Sequence, residues 1–562
     1  MKRWASMLAV LALVAVACGS SSTTAPSFGP KTGGTLTVAM DNDMAYADPS
    51  FVSDPSSLYV ANQVVQGLVG LAPGSTSTVI PVLAAAMPNI SPDGLTYTFK
   101  LRTGIKFHDG TDFNAAAVKA NYDRWTAFPS GDLQKNAYYY AAIFGGFGNA
   151  SNLVSVTAPD PTTVVISLGH PQSDFLVSQA VAAFGIQSPT AIKAGDGNNP
   201  SLSKNAYALG SGGNGKAMVG TGPFMFSERK AGDHVTLVKN PNYWDPAARP
   251  YLDKIVFKAY KGPADELGAL ESGAADLIET LDPNGIKTVR GDSSYMILGR
   301  GTGCNITQLG TNGFDSTGAA VNPLANKGVR LAIAAAVNKT SYVNGYYAGL
   351  ASVADAWLPV GAQYYRREYL PLFDVTAARG GLAAAGYSTS GPTVDLWYPT
   401  GAPTYVFPDA KALAVAIAAD LHAAGMVVNL KSEAYSPNYL SDSAAGKMML
   451  FLQSVPCRWA GADDLLYSSM FGYRGDPAAP KPGTTYNYTN DALNALMLQA
   501  QLAPTDALAR DDWYAAQDMI RADMPTIPLL TAKLPAAAKN YVMGFVGAGN
   551  RTEVLSSVWL GK

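Results

Sequence analysis

Apolar side chains occupy every second position from residue 95 to residue 101, starting at Leu95 and ending at Leu101. A period of two is typical of a strand with one buried face. Thr103-Gly104 then predicts a turn, residues 105–107 predict a second strand, and residues 115–125 predict an amphipathic helix. The pattern therefore indicates a ββα unit, which by itself carries no function.

A second regular pattern lies in the later half of the chain. Leu413, Ile417 and Leu421 recur at helical spacing within residues 410–424, and Gly425 is placed to end that helix. Residues 426–430 then predict a strand. Units of helix, glycine and strand recur across residues 329–452 and favour an α/β lobe.

The first residues predict export from the cytoplasm. Lys2 and Arg3 precede an apolar run that ends in small residues just before Cys18. This pattern is typical of a secretory signal, here residues 1–17, rather than of a membrane span. We expect Cys18 to be acylated as in bacterial lipoproteins, with residues 18–34 as a flexible linker. A plain signal followed by a chance cysteine is the alternative.

Composition narrows the function classes. Without residues 1–17 the chain has 38 basic and 42 acidic residues, a net charge of −4, and 48% of the whole chain is hydrophobic. This balance argues against nucleic acid as a partner. A length of 562 residues exceeds what one hydrophobic core supports and predicts about three domains.

Several motifs, taken together and in order, resemble one protein family. They are DGLTYTFKLRTGIKFHDG at 93–110, PVLA at 81–84, GTGPF at 220–224, KNPNYW at 239–244, SGAAD at 272–276 and the stretch 329–339. This series is similar to the family 5 extracellular solute-binding proteins of ABC importers, the oligopeptide- and dipeptide-binding type. The similarity spans roughly residues 33–545.

The resemblance implies an α/β fold with two lobes, of the periplasmic-binding-protein or Venus-flytrap kind, and a subdomain inserted in lobe one. The expected boundaries are 35–76, 191–303 and 522–562 for lobe one, 77–190 for the inserted subdomain, and 304–521 for lobe two. Such lobes close around a ligand by bending at two chain crossings.

Cys304 and Cys457 form an even pair in a chain expected outside the cytoplasm, which predicts a disulfide. Some peptide binders of the family carry a disulfide at similar places. Two free buried thiols are the alternative.

The resemblance also implies a ligand site in lobe two. Peptide-specific members hold the ligand's ammonium with an Asp within W-x-x-DY-x-DP, whereas this chain has WAGADDL at 459–465. Asp463 is thus either an ammonium anchor or a helix cap. Trp459 is either a stacking wall or core, and Arg458 binds either a ligand carboxylate or a surface acid. Tyr435 falls where the family often has a pocket aromatic.

Enzyme motifs are weak. His108, His170, His234 and His422 show no metal-ligand spacing, and no Gly-x-Ser-x-Gly elbow occurs. We therefore expect no catalysis, no cofactor and no metal. The predicted function is a monomeric, lipid-anchored binding protein on the extracytoplasmic side of the membrane, which hands an oligopeptide to an ABC permease. Alternatives are a non-peptide solute, such as an oligosaccharide or a metal complex, and a surface sensor without transport.

Overall fold

The computed structural model describes residues 29–211, 216–315, 318–403, 406–472 and 486–562. The expected signal peptide 1–17 and Cys18 therefore lie outside the described residues, as does most of the expected linker 18–34. Within these ranges, no helix has both the length and the apolar character needed to cross a membrane.

A mixed sheet of seven strands, called the first sheet, combines the two ends of the chain with its middle. Its strands in spatial order are Tyr295–Leu298, Ala536–Lys539, Leu277–Ile278, Thr35–Met40, Lys254–Ala259, His234–Lys239 and Phe224–Lys230. Thr35–Met40 runs parallel to both of its neighbours, and the other ladders are antiparallel. Val38, Ala39 and Met40 are all buried, so both faces of this central strand are covered.

A mixed sheet of six strands, called the second sheet, forms the other lobe. Its strands in spatial order are Ala351–Val353, Thr526–Ala532, Ile306–Thr311, Leu450–Val455, Thr393–Thr400 and Val427–Ala434. We expected residues from 522 onward in lobe one, but Thr526–Ala532 belongs to the second sheet. This strand is buried along almost its whole length, so it has no alternation that would reveal its sheet.

The inserted subdomain carries a sheet of four strands, called the insert sheet. Its strands in spatial order are Asn89–Ile90, Thr96–Lys100, Thr163–Leu168 and Leu153–Asp160. Small two-stranded sheets pair Val69–Leu71 with Val79–Pro81 and Val542–Met543 with Trp559–Leu560. The predicted helix is present as Ala115–Thr126, capped by the Asn114 side chain, which accepts from the Ala117 N–H.

The predicted second strand at 105–107 is wrong. This segment forms a tight loop in which the Phe107 N–H donates to Thr111 O. His108 then joins two of the motifs, because its N–H donates to Gly220 O and its ring Nε2 donates to Gly222 O, both at 2.9 Å. Burial lowers the pKa of the His108 imidazole to about 4. The histidine is thus a neutral structural bridge.

Helices cover the sheets. The α-helices are Pro55–Asn62, Ala115–Thr126, Asp132–Asn136, Tyr138–Phe144, Phe175–Ser178, Pro189–Ala194, Ala206–Leu209, Pro263–Ser272, Pro283–Gly291, Lys327–Ala336, Lys339–Tyr346, Val375–Ala384, Ala410–Ala423, Leu440–Ala444, Asp491–Gln501 and Asp506–Asp523, and Tyr435–Tyr439 and Asp463–Phe471 are π-helical. In Ala410–Ala423 the predicted apolar face is buried, and Gly425 follows with φ +99°. The strand after it is Val427–Ala434, longer than predicted.

The chain passes between the first and second sheets twice, at 299–305 and at 533–535. Each sheet has its own core of buried side chains, and the insert has a third. Cys304 lies in the first crossing and is joined by a disulfide to Cys457, with the Cα atoms 5.5 Å apart. Two separate cores joined by paired crossings form the expected two-lobed α/β architecture.

Candidate functional site

A cavity of about 340 Å³, called the interlobe cavity, lies where the first lobe, the insert and the second lobe meet. Its walls come from positions between 53 and 76, between 138 and 182, from 456–460 and from 550–552. The volume is at the small end of the range for solute sites. Apolar side chains such as Leu58, Leu71 and Val177 make up much of the wall, with polar groups at a few points.

Trp459 connects the two lobes at this cavity. Its side chain is only 3% exposed and packs into the core of the insert, although the residue itself belongs to the second lobe. The indole Nε1 donates to Asp174 Oδ2 at 2.5 Å. Trp459 therefore both lines the cavity and belongs to a buried core. The sequence had left these two roles, stacking wall and core residue, as alternatives.

Arg458 stands next to it on the cavity wall and is held by Asp464. Arg458 Nε donates to Asp464 Oδ1 at 2.5 Å, and the backbone N–H groups of Arg458 and Trp459 donate to Asp464 Oδ2 at 2.7 and 3.2 Å. The guanidinium carbon lies 4.6 Å from the centre of the Trp459 ring. Burial raises the pKa of Asp464 to about 6, although Arg458 opposes this shift.

Asp463 is not on the cavity wall. The side chain is 5% exposed, and burial, followed by the charges of Asp174 and Asp464, raises its pKa well above the usual range. It is the first residue of Asp463–Phe471, but the capping position is Ala462 and no side chain caps this helix. The carboxyl is thus buried and does not line the cavity.

Tyr435 is not brought to the cavity either. It begins the short helix Tyr435–Tyr439 and packs, half-buried, against the core of the second lobe. Besides Trp459, the aromatic residues that line the cavity come from the helix Tyr138–Phe144. Tyr138 is 41% exposed, whereas Tyr139 is buried in the insert core.

Sequence reasoning missed the contribution of the last residues of the chain. Asn550, Arg551 and Thr552 line the cavity. Arg551 is buried, and its Nη1 lies 2.9 Å from Glu279 Oε1 and 3.8 Å from Asp41 Oδ2. No periodic or motif signal in the sequence marks this segment, because its placement depends on contacts with residues far away along the chain.

Further hydrogen bonds join the lobes around the cavity. Thr76 Oγ1 donates to Gly361 O at 2.5 Å, and the Ser173 N–H donates to Gln501 O at 2.9 Å. Within the described ranges, no group of three or more His, Cys, Asp or Glu side chains is arranged to hold a metal ion. The arrangement can therefore enclose a solute between two lobes that touch each other directly.

Comparison with known proteins gives a consistent result. The family model for "Bacterial extracellular solute-binding proteins, family 5 Middle" matches residues 78–476. The glutathione-binding protein GsiB of Escherichia coli O1:K1 / APEC is 30% identical over 527 residues, covering 91% of each chain.

Solved structures agree. The periplasmic binding protein DppA of Helicobacter pylori, in complex with the peptide STSA, is 25% identical with a TM-score of 0.69, covering 95% of this chain and 99% of that one. HbpA2 of Haemophilus parasuis is 23% identical with a TM-score of 0.77, covering 94% and 100%. The predicted family and the predicted two-lobed fold are confirmed.

Proposed function

The chain belongs to the bacterial extracellular solute-binding proteins of family 5, and from this membership we propose that it captures an oligopeptide in the interlobe cavity. Proteins of this family serve ABC importers outside the cytoplasm, and the permease of such an importer is the partner that receives the solute. The relatives are binding proteins of transport systems and not enzymes. We propose neither a reaction nor a cofactor for this chain.

One observation carries this proposal. The interlobe cavity takes its walls from both lobes, with Tyr138 and Val177 on one side and Arg458 and Trp459 on the other. A solute held there contacts both lobes only when they are closed. Such differential contact is what drives closure, since a ligand shifts an equilibrium only by its difference in affinity for the two states.

The peptide assignment is supported by two relatives. GsiB is named as a glutathione-binding protein, and glutathione is a tripeptide. DppA of H. pylori holds the four-residue peptide STSA. A small cavity suits a short peptide. A non-peptide solute is favoured by one observation, namely that Asp463, the expected anchor for a peptide ammonium, does not line the cavity.

Native mass spectrometry tests the proposal on the full-length chain purified from the membranes of expressing cells. We expect a bound species with the mass of a short peptide, which is released when the protein is denatured. If the chain carries no small molecule and binds none from a peptide library, the peptide assignment fails. If a solute is released, its uptake by cells should require both this chain and its permease. A surface sensor would bind the solute without supporting uptake.

We propose in addition that residues 1–17 are removed and that a lipid on Cys18 anchors a monomeric protein to the outer side of the membrane. Residues 18–34 are rich in small residues and in Ser and Thr, which supports a flexible tether. Cys18→Ser should move the protein from the membrane fraction to the soluble extracytoplasmic fraction. Retention of the variant in the membrane fraction would contradict the anchor.

A further inference from the structure

The charged groups at the interlobe cavity are unevenly distributed. Arg458 and Arg551 line it, whereas no Asp or Glu is found among the described residues of its wall. A zwitterionic peptide brings both an ammonium and a carboxylate into such a site. Burying an ammonium without an anionic partner is costly.

Asp174, Asp463 and Asp464 come close to the wall residues in sequence or in space but do not line the cavity, and two of them are engaged with the protein itself. Asp464 accepts hydrogen bonds from Arg458 Nε and from two backbone N–H groups. Asp174 accepts from Trp459 Nε1 and, at 3.1 Å, from Gln172 Nε2. Asp463 is buried and is not part of the wall, and burial raises its pKa well above the usual range. None of the three presents a negative charge to a solute.

Arg458 differs from Arg551 in the hydrogen-bond donors of its guanidinium. Arg551 is paired with Glu279 and lies near Asp41. Arg458 uses Nε for Asp464, while its Nη2 is buried and has no hydrogen-bond partner among the described residues. A buried donor without an acceptor is unfavourable, and the fork of a guanidinium matches a carboxylate in shape. A carboxylate on the solute would supply the missing acceptor.

The remaining wall favours an apolar body of small size. Leu58, Leu71, Val177 and Val181 line the cavity together with Tyr138, and its volume is about 340 Å³. Apolar solute surface buried against these side chains contributes roughly 25 cal/mol per Å².

We infer that the interlobe cavity selects a small, largely apolar solute that carries a carboxylate and lacks a free ammonium, such as a short peptide with a blocked amino terminus. Arg458 is the residue that recognises the carboxylate. The inference rests on the proposed function, in that the cavity is taken to be the solute site.

Three probes of nearly equal size test it on the full-length chain by isothermal titration calorimetry. They are leucyl-leucine, N-acetyl-leucyl-leucine, which lacks the ammonium, and leucyl-leucine amide, which lacks the carboxylate. We expect the acetylated probe to bind at least tenfold more tightly than the amide and no more weakly than the unmodified dipeptide. This comparison uses the unchanged chain, so no variant has to fold.

Variants then assign the carboxylate to its partner. Arg458→Gln should remove the preference for the acetylated probe over the amide, whereas Arg379→Gln, on the exposed face of Val375–Ala384, should leave it intact. Asp463→Asn should change the affinity for the dipeptide less than twofold.

Other results overturn the inference. If the dipeptide or the amide binds more tightly than the acetylated probe, or if Asp463→Asn weakens the dipeptide tenfold, the amino terminus is recognised and the inference fails while the proposed function stands. If none of the three probes binds, the inference also fails. The proposed function is tested separately, by identifying the solute that co-purifies with the chain.

Discussion

Trp459 and Asp174 lie 285 positions apart in the sequence, yet the Trp459 Nε1 donates to Asp174 Oδ2 at 2.5 Å. One residue belongs to a loop of the second lobe and the other to the insert of the first. Burial raises the pKa of Asp174, and the hydrogen bond from Trp459 is the strongest influence that opposes this shift. The contact therefore stabilises the ionised carboxylate across the junction of the two lobes.

Trp459→Phe should weaken solute binding, because phenylalanine keeps an aromatic ring but lacks the indole N–H that donates to Asp174. A buried hydrogen bond to a charged group contributes about 1.5–3 kcal/mol, which corresponds to roughly 10- to 100-fold in affinity. Calorimetric titration with the co-purified solute measures the loss. Small-angle scattering of the unliganded protein should also give a larger radius of gyration for the variant.

Trp357→Phe is the matched control for that substitution. Trp357 Nε1 donates to Thr526 Oγ1 at 2.8 Å, and both residues lie within the second lobe. The control should lower the midpoint of unfolding without changing the affinity for the solute. Equal loss of affinity in both variants would mean that the indole hydrogen bond to Asp174 has no special part in closure.

Gly461→Ala should hinder closure through crowding at the same contact. A Cβ at Gly461 would lie 2.9 Å from Asp174 Oδ2 and 3.0 Å from Trp459 Nε1, closer than such atoms normally approach. One of them must move, so we expect the affinity for the solute to fall about tenfold, or ~1.4 kcal/mol. Titration calorimetry again provides the measurement.

Gly268→Ala serves as control for the glycine, since nothing lies within 4 Å of the added Cβ. In the helix Pro263–Ser272 this change should leave binding unaltered and raise stability by up to about 1 kcal/mol. If Gly461→Ala also bound the solute with normal affinity, the prediction would be wrong. Asp174 and Trp459 could then be displaced without any effect on closure of the lobes.

Local pattern predicted local structure well and remote contact poorly. The helix Ala115–Thr126 and the strand Thr96–Lys100 follow from periodicity, because each has one buried face. The placement of Thr526–Ala532 did not follow, since a fully buried strand has no polar face to identify it. Motif similarity supplied the two-lobed order of the chain, which no local pattern contains.

The candidate site was predictable only in part, for the same reason. Motif position pointed to Arg458 and Trp459, and both line the cavity. Asp174 and Arg551 were missed, because each reaches the site through tertiary contacts with residues hundreds of positions away. Tyr435 and Asp463 were expected from the family pattern, but neither lines the cavity, since Tyr435 packs against the core of the second lobe and Asp463 is buried.

Removal of the disulfide in the Cys304→Ser/Cys457→Ser variant should lower stability substantially. The bond closes a loop with a sequence separation of 153 residues, and it lies where the chain crosses between the lobes. The chain-entropy model predicts a loss of about 2–5 kcal/mol in the free energy of unfolding. Urea unfolding of the oxidised wild type and of the variant measures this difference, and reduced wild type should behave like the variant. An unchanged midpoint would argue against a stabilising role.

The His108 imidazole should make stability dependent on pH between about 4 and 6.5. Its pKa is about 4 in the folded protein because of burial, against about 6.5 in an unfolded chain. In this window the unfolded state binds more protons, so the free energy of unfolding rises with pH and falls as the solution becomes more acidic. The full contribution, at most about 3 kcal/mol, is present above pH 6.5 and is lost progressively toward pH 4.

His108→Gln should flatten that dependence, since the amide can still donate to Gly222 O but does not titrate. Urea unfolding at several values between pH 5 and 7.5 gives the slope for each protein. His422→Gln, on the exposed end of Ala410–Ala423, controls for the loss of an imidazole as such. If wild type and His108→Gln lose stability in parallel on acidification, the buried imidazole is not the group responsible for the acid sensitivity of the fold.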